Sequence, residues 1–301
     1  MGSHVEATSI FEEHRSLLFS VAYRMLGSAA DAEDVVQDAW LRWSSADRAQ
    51  ITQPKAYLVR IVTNLAVDTL RSARVQRESY VGPWLPEPIL TGPDIAEDAA
   101  RAESVSLAML VVLESLTELE RAVFILKEVF GFPYGEIAEA IDRSEATVRQ
   151  LGHRARSHVQ ARRPRFSADR ESRRVVTERF FAASMGGDLN ELMQVLAPDV
   201  TIWTDGGGKV RAALRPIHGA EKVAAWLIGI GKRPYQGVAL EDMRAEVVQI
   251  NGEPAVLALG NGRPITVVTV EPDASGRIVG IRVIANPDKL VPVAGGIRHT
   301  L

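Results

Sequence analysis

The stretch Tyr80–Pro93 (YVGPWLPEPILTGP) constrains this chain more than any other. It holds four prolines and two glycines in fourteen residues. Each proline removes an amide donor and fixes φ near −65°, so neither a helix nor a central strand can run through it. It therefore reads as an extended linker and a boundary, and 301 residues is a natural length for two or three domains.

The pattern differs on the two sides. From about 9 to 78 it is helical: Phe11, Leu17, Leu18, Val21, Ala22 and Met25 recur at helical spacing up to Gly27, a second helix follows from about 29 to 44, and a third begins at Pro54. Helical periodicity returns from about 101 to 161 and closes on Arg162-Arg163-Pro164-Arg165. One more helical stretch, about 169 to 196, precedes short β-branched runs at Val200–Thr204, Ala245–Ile250, Ala255–Leu259, Ile265–Glu271 and Arg277–Ile284. Asn-Gly, Pro-Asp and Ser-Gly pairs punctuate these runs, which predicts an α+β domain with an antiparallel sheet. Met1-Gly2-Ser3-His4 reads as an expression remnant outside the fold.

Composition narrows the function. There are no cysteines, so disulfides and thiolate metal sites are excluded, which fits a reducing cytosol. No apolar run reaches the roughly 18 residues of a membrane span. A net charge of −3 argues against a protein that coats nucleic acid by itself. Yet Arg143–Arg165 carries seven arginines against one acid, and Arg48–Arg77 six basic residues against one acid. Two basic stretches in an acidic chain point to two separate DNA-facing surfaces.

In the segment Asp31–Trp43 (DAEDVVQDAWLRW), Ala32, Val36, Ala39 and Trp43 make one apolar face, and Asp34, Gln37, Asp38 and Leu41 fall on the other. In Pro54–Arg71 (PKAYLVRIVTNLAVDTLR), Leu58, Ile61, Val62 and Leu65 supply a buried face. Arg60, Asn64, Asp68 and Arg71 form a polar stripe that Arg74 and Arg77 extend. Taken alone, each polar face is equally a solvated helix surface. In order and separation the two segments resemble region 2 of extracytoplasmic-function (ECF) sigma factors. That resemblance makes Asp34, Gln37, Asp38, Leu41 and Arg42 contacts to the β′ clamp coiled coil of core RNA polymerase. It places Asn64, Asp68, Arg71 and Arg74 near the −10 promoter element, although Asn64 and Asp68 could equally be structural.

Beyond the linker, Thr117 and Glu120 have the spacing of a capping box. Tyr134–Arg156 then has helix-turn-helix form: Ala138 at the helix crossing, Ile141 at the turn, Ser144 as cap, and Val148, Leu151 and Ala155 inward. This unit resembles sigma region 4. The resemblance assigns Ser144, Thr147, Arg149, Gln150, His153, Arg154 and Arg156 to the −35 element and leads to an expected contact with the polymerase β flap. Asp142 stands at the turn where glycine is usual, and Gly152 is expected to interrupt the recognition helix. His153 and His158 lack acidic or thiol neighbours in sequence, so no metal is expected.

Residues after about 165 resemble SnoaL-like domains of the nuclear-transport-factor-2 superfamily, a cone of sheet and helices around a cavity. The expected architecture is thus multidomain. Residues 9–78 form all-α region 2, 79–100 the linker, 101–166 helix-turn-helix region 4, 169–291 an α+β SnoaL-like cone, and 292–301 a tail. The linker residues Trp84, Leu85 and Pro86, the loop Asp205-Gly206-Gly207-Gly208-Lys209, and the segment Asn286-Pro287-Asp288-Lys289-Leu290 fit an ECF subgroup in which this domain modulates sigma activity. Asp199, Asp205 and His218 are candidates for proton transfer. The loop Gly206–Gly208 could be read as a phosphate nest, but no helix-start signal follows it, so a hairpin or loop contact is the expectation. The expected protein is nevertheless no enzyme and holds no cofactor. It is a cytoplasmic initiation factor whose partners are core polymerase and the −10 and −35 elements, without a membrane partner. A small-molecule ligand in the cavity stays open. So do two other readings, a one-component helix-turn-helix regulator with a ligand-binding domain and a SnoaL-like isomerase or hydrolase with a DNA-binding appendage.

Overall fold

A computed structural model describes residues 2–92, 106–162, 170–231, 233–296 and 299; the side chains of 2–4, 49, 74–76, 170 and 240 lie outside the description. The chain forms two compact units, Met1–Glu78 with Met109–Arg163 and Thr300–Leu301, and Ser79–Ala108 with Pro164–His299.

In the first unit, α1 (Gly2–Leu26), α2 (Ala29–Ser45) and α3 (Pro54–Glu78) pack together. The helix α1 starts at Gly2, so the four residues set aside as a remnant belong in part to a helix. Gly27 (φ 67°) ends α1, and the Ser28 side chain caps α2 by accepting from the Asp31 amide at 3.1 Å. Leu18, Val21, Ala22 and Met25 of α1, Val36, Ala39 and Trp43 of α2, and Leu58 and Val62 of α3 are all buried where these helices pack. Trp43 donates its indole N–H to the Ala7 carbonyl at 2.9 Å, which satisfies the polar tip of a large core residue. On α3 the buried stripe is Leu58, Val59, Ile61, Val62, Ala66, Val67 and Leu70, with Leu65 only half-buried.

The rest of this unit is α4 (Leu107–Leu113, entering from the other unit), α5 (Glu118–Phe124), a π turn (Ile125–Val129), α6 (Tyr134–Ile141) and α7 (Glu145–Arg162). Thr117 and Glu120 form the full capping box at the start of α5. Arg121, 3% exposed, donates to the Met25 carbonyl at 2.5 Å and to Glu114 at 2.7 Å, while Arg77 pairs with the other Glu114 oxygen. These charge-assisted bonds tie α5 to α1 and α3.

The second unit has α8 (Arg170–Gly186), α9 (Leu189–Val195), α10 (Ala220–Gly231), the short α11 (Val291–Ala294) and six strands: β1 (Leu196–Asp205), β2 (Ile217–His218), β3 (Met243–Ile250), β4 (Glu253–Gly260), β5 (Arg263–Pro272) and β6 (Ile278–Ile284). Their order is β2-β1-β6-β5-β4-β3. The expected antiparallel sheet is corrected here: β1 runs parallel to β6, pairing Ile202 with Ile281 and Asp205 with Ile284, so the sheet is mixed. Two-residue hairpins at Asn251-Gly252 and Asn261-Gly262, both asparagines at left-handed φ (53° and 52°), set the β3–β4 and β4–β5 registers. Irregularities in β1, β4 and β5 bend the sheet. Val176 and Phe180 of α8, Leu192 of α9 and Val223 of α10 pack on its inner face against Val200, Ile202 and Ile281.

The linker is extended, as the prolines require, but it is packed into this second unit. Leu90 pairs antiparallel with Ile250, the Thr91 amide donates to the Gln249 carbonyl at 3.1 Å, and Ile89 exchanges bonds with Asn251. Near the end of the chain, the His299 amide donates to the Leu90 carbonyl at 2.9 Å.

Candidate functional site

The first site lies on α2. Asp34, Gln37, Asp38, Leu41 and Arg42 are all exposed on one face, opposite the buried Ala32, Val36, Ala39 and Trp43. Leu41 is 58% exposed, a large apolar side chain flanked by acids. That combination gives an anchor with electrostatic steering around it.

On α3, Arg60, Asp68 and Arg71 are exposed and Asn64 is half-buried, while the Arg74 side chain falls outside the described residues. Asp68 and Arg71 pair at 3.1 Å in an exposed i,i+3 contact. Beside this stripe the structure reveals a polar groove of about 610 Å³ lined by Asp47, Gln50, Gln53, Tyr57 and Arg60, with Glu136 and Glu139 of α6 on its other wall. The loop residues Asp47, Gln50 and Gln53 were not singled out from sequence; nothing in their local pattern marks them, because only the packing of α6 near α3 makes the wall.

The helix-turn-helix forms as expected. Ala138, Ile141, Val148, Leu151 and Ala155 are buried, and the Ser144 hydroxyl caps α7 by accepting from the Thr147 amide at 3.2 Å. Arg149, Gln150, His153, Arg154 and Arg156 are exposed, with Thr147 half-buried beside them. Arg154 lies 3.3 Å from Glu120 and Arg156 3.6 Å from Glu128; Arg149 pairs with Glu145 and stacks over the Tyr134 ring at 4.9 Å. Two departures are explained. Asp142 adopts φ 52°, ψ 59°, the left-handed conformation that accounts for glycine's usual place there, and aspartate tolerates it better than most residues. Gly152 does not interrupt the recognition helix, which is continuous from Glu145 to Arg162. A β-carbon there would stand 3.3 Å from the Tyr134 hydroxyl and 3.4 Å from Val123, so glycine serves the close approach of α7 to its neighbours.

The third site is where the linker docks. Asp205, at the end of β1, is fully buried, and its carboxylate accepts from the Tyr80 hydroxyl (2.5 Å), the Leu85 amide (2.8 Å), the Gly207 amide (3.1 Å) and the Lys289 ammonium (2.7 Å). Lys289 also donates to the Leu85 carbonyl at 2.5 Å and faces the rings of Trp84 (4.1 Å) and Tyr80 (4.7 Å). The Asn286 amide donates to the Tyr80 hydroxyl at 2.9 Å. Burial, and then the neighbouring Asp205 carboxylate, push the Tyr80 phenol well above its ordinary pKa. Leu85 and Pro86 are buried and Trp84 is half-buried. Lys209 pairs with Asp288, while Pro287 and Asp288 are exposed.

The glycine triplet follows from this docking. At Gly207 (φ 58°) a β-carbon would lie 2.3 Å from the Asn286 side-chain nitrogen, and at Gly208 3.2 Å from Val81 of the linker. The loop is thus shaped to its protein partners, not to a phosphate. The sequence pointed to Trp84, Leu85, Asp205 and Lys289, but Tyr80, Thr91 and Asn251 were missed. An aromatic residue in a proline-rich linker was the signal available for Tyr80.

A cavity of about 170 Å³ lies on the inner face of the sheet under α8 and α10, and none of Asp199, Asp205 and His218 lines it. Asp199 and His218 are exposed, with His218 3.0 Å from Thr201 across the β1–β2 edge, and Asp205 holds the linker. The three do not converge as proton-transfer chemistry requires. Among the described residues no group of three or more His, Asp or Glu side chains could hold a metal ion, and no helix is long and apolar enough to cross a membrane.

The families described as "Sigma-70 region 2" and "Sigma-70, region 4" match residues 10–75 and 106–159. The chain is 40% identical to the ECF RNA polymerase sigma factor SigJ of Mycobacterium tuberculosis H37Rv over 93% of this chain and 92% of that protein. It is 32% identical to the probable ECF RNA polymerase sigma factor SigI of the same species, over 97% and 98%. The crystal structure of M. tuberculosis SigJ superimposes with a TM-score of 0.74 at 36% identity, covering 95% of this chain and 98% of that one.

Proposed function

Because this chain belongs to the extracytoplasmic-function sigma factors of RNA polymerase, we propose that its linker and SnoaL-like domain form a built-in regulator of promoter recognition. Sigma factors are non-enzymatic initiation factors that bind core polymerase and promoter DNA. In this reading the exposed α2 face, Asp34, Gln37, Asp38, Leu41 and Arg42, docks on the β′ clamp coiled coil. Asn64, Asp68, Arg71 and Arg74 act at the −10 element, joined by the groove residues Gln50, Gln53, Tyr57 and Arg60. A groove of polar and aromatic side chains with basic neighbours suits unstacked bases and their backbone. Ser144, Thr147, Arg149, Gln150, His153, Arg154 and Arg156 act at the −35 duplex, and region 4 meets the β flap.

Glu136 and Glu139 support one further element of this reading. They line the −10 groove from the region 4 side, where their charge repels a DNA backbone. Promoter reading therefore requires α6 to move off the groove when polymerase binds.

The observation that carries the regulatory reading is the Asp205 carboxylate, which gathers four donors, two of them from the linker. The linker joins regions 2 and 4, so a domain that grips it constrains how far they can separate. The test is in vitro transcription with core polymerase. Trp84→Ala and Asp205→Ala should each shift transcription with no ligand added. A truncation after residue 166 reports whether the domain's net effect is inhibitory. If both point variants transcribe like wild type, the domain is not a regulator acting through the linker.

A further inference from the structure

We infer that the free edge of the C-terminal sheet is a self-pairing surface, whose partner is the same strand of a second copy of this chain. The strand β3 (Met243–Ile250) is the last in the sheet order and pairs with β4 on one side. On its other side the linker reaches only the far end, where Leu90 bridges Ile250 and the Thr91 amide donates to the Gln249 carbonyl at 3.1 Å. Among the described residues nothing else pairs with the stretch from Met243 to Val247. An open edge of this kind presents unmet N–H and C=O groups, which are a template for another strand.

Backbone geometry fixes which groups are free. The two-residue hairpin at Asn251-Gly252 makes Ile250 and Glu253 a hydrogen-bonded pair. The pattern alternates along an antiparallel ladder, so Val248, Glu246 and Arg244 turn their N–H and C=O toward β4. Val247, Ala245 and Met243 turn theirs outward, in step with the Gln249 carbonyl that the linker takes. Two copies of this edge, antiparallel about a two-fold axis at Ala245, match these groups. Ala245 exchanges hydrogen bonds with the partner's Ala245, and Met243 with the partner's Val247.

The side chains agree with that register. Arg244 and Glu246 are exposed, on the face opposite Met243 and Ala245. Neither has an ion pair among the described residues. In the pairing Arg244 stands opposite the partner's Glu246, and by symmetry Glu246 opposite the partner's Arg244. These are non-hydrogen-bonded positions, where side chains approach most closely. On the other face Met243 meets Val247, apolar against apolar. The neighbouring registers set Arg244 against its own copy, or Glu246 against its own, which specifies this one. Met-Arg-Ala-Glu-Val is thus complementary to its own reverse, as an isologous two-fold interface requires. The linker sequence beyond Gly92 suits the edge poorly, since Pro93 has no N–H to give and Asp94 repeats the charge of Glu246. The contact is small, so the dimer is weak, in the micromolar range. The inference is independent of the regulatory reading, and failure of either leaves the other standing.

The test is sedimentation equilibrium of the full chain from about 5 to about 300 µM, where a reversible monomer–dimer equilibrium is expected. Arg244→Glu and Glu246→Arg each set like charges opposite one another and should weaken the dimer by about tenfold or more. Mixing the two single variants restores both ion pairs and should recover a heterodimer of wild-type strength. Both positions are exposed, so the fold is not at stake. Ala245→Pro removes an outward N–H without touching the β3–β4 ladder, and should leave the chain monomeric. A wild-type chain that stays monomeric throughout, single variants that associate like wild type, mixing without recovery, or association that survives in a folded Ala245→Pro variant would each overturn the inference.

Discussion

The Lys289 ammonium lies 2.7 Å from the Asp205 carboxylate, 84 residues away in sequence, with side-chain exposures of 7% and 0%. Neither charge is solvated, and each is satisfied by groups of the linker as well as by the other. Removing one partner leaves a buried charge uncompensated, which costs about 3–5 kcal/mol. Asp205→Ala and Lys289→Met should each destabilise the C-terminal unit by that order. The double variant Asp205→Leu/Lys289→Met should lose clearly less than the sum. Chemical denaturation measures the cycle, and limited proteolysis within 79–92 should speed up in the single variants. Additive losses would mean that the two charges do not depend on each other.

The side chains of Leu41 and Asp38 are exposed, on the face of α2 opposite its buried residues. Leu41→Ala and Asp38→Ala should therefore leave the melting temperature within about 2 °C, since exposed substitutions change stability by less than about 0.5 kcal/mol. Their affinity for core polymerase should fall at least tenfold, as read by fluorescence anisotropy. Unchanged binding in both would remove the α2 face from the polymerase interface.

Arg149 and Arg154 carry the −35 reading. Replacing either with alanine should weaken promoter binding by the holoenzyme by about 1–3 kcal/mol if the residue touches a base, or lower the salt slope by about one if it touches phosphate. Titrations at several salt concentrations separate the two cases. If neither quantity moves, α7 presents a different face to DNA.

Glycines 152 and 229 make a controlled comparison. Alanine in an open helix interior gains up to about 1 kcal/mol over glycine. Gly229, in α10, has nothing within 4 Å of an added β-carbon, so Gly229→Ala should show that gain in urea denaturation. Gly152→Ala should not, because its β-carbon would press on Tyr134 and Val123. An equal gain at both positions would show that the α7 contact gives way without cost.

Glu253 supplies a pH test. Burial pushes its carboxyl above the ordinary carboxylate range, outweighing the pull of Arg173 and Arg282. A folded pKa above the unfolded one means that the folded state holds the proton more tightly. The contribution to stability is therefore complete below about pH 4.3, the unfolded value, and is lost as pH rises through the folded one. Glu253→Gln stays neutral throughout. Its melting temperature minus that of wild type should accordingly increase from about pH 4 to about pH 7. A flat difference would show that Arg173 compensates the charge fully.

Much of this protein follows from short-range signals that need no partner. Apolar spacing set α1 to α3, Thr117 and Glu120 capped α5, Ser144 capped α7, and the prolines at 83, 86 and 88 kept the linker extended. The Asn251-Gly252 and Asn261-Gly262 pairs carried their hairpins, because a type I′ turn is a two-residue decision. The two DNA-related regions were legible for the same reason, each being a local helical pattern.

Tertiary structure decided what depends on residues far apart in sequence. The parallel pairing of β1 with β6 joins strands about 80 residues apart, and no local pattern distinguishes it from an antiparallel neighbour. The role of Gly152 depends on the distance to Tyr134, and the polar groove beside Arg60 on where α6 rests beside α3. Asp205 was a candidate for proton transfer until its surroundings were known. Only burial with Lys289 and the linker makes it a structural anchor, because the behaviour of a carboxylate is set by its solvation and its donors.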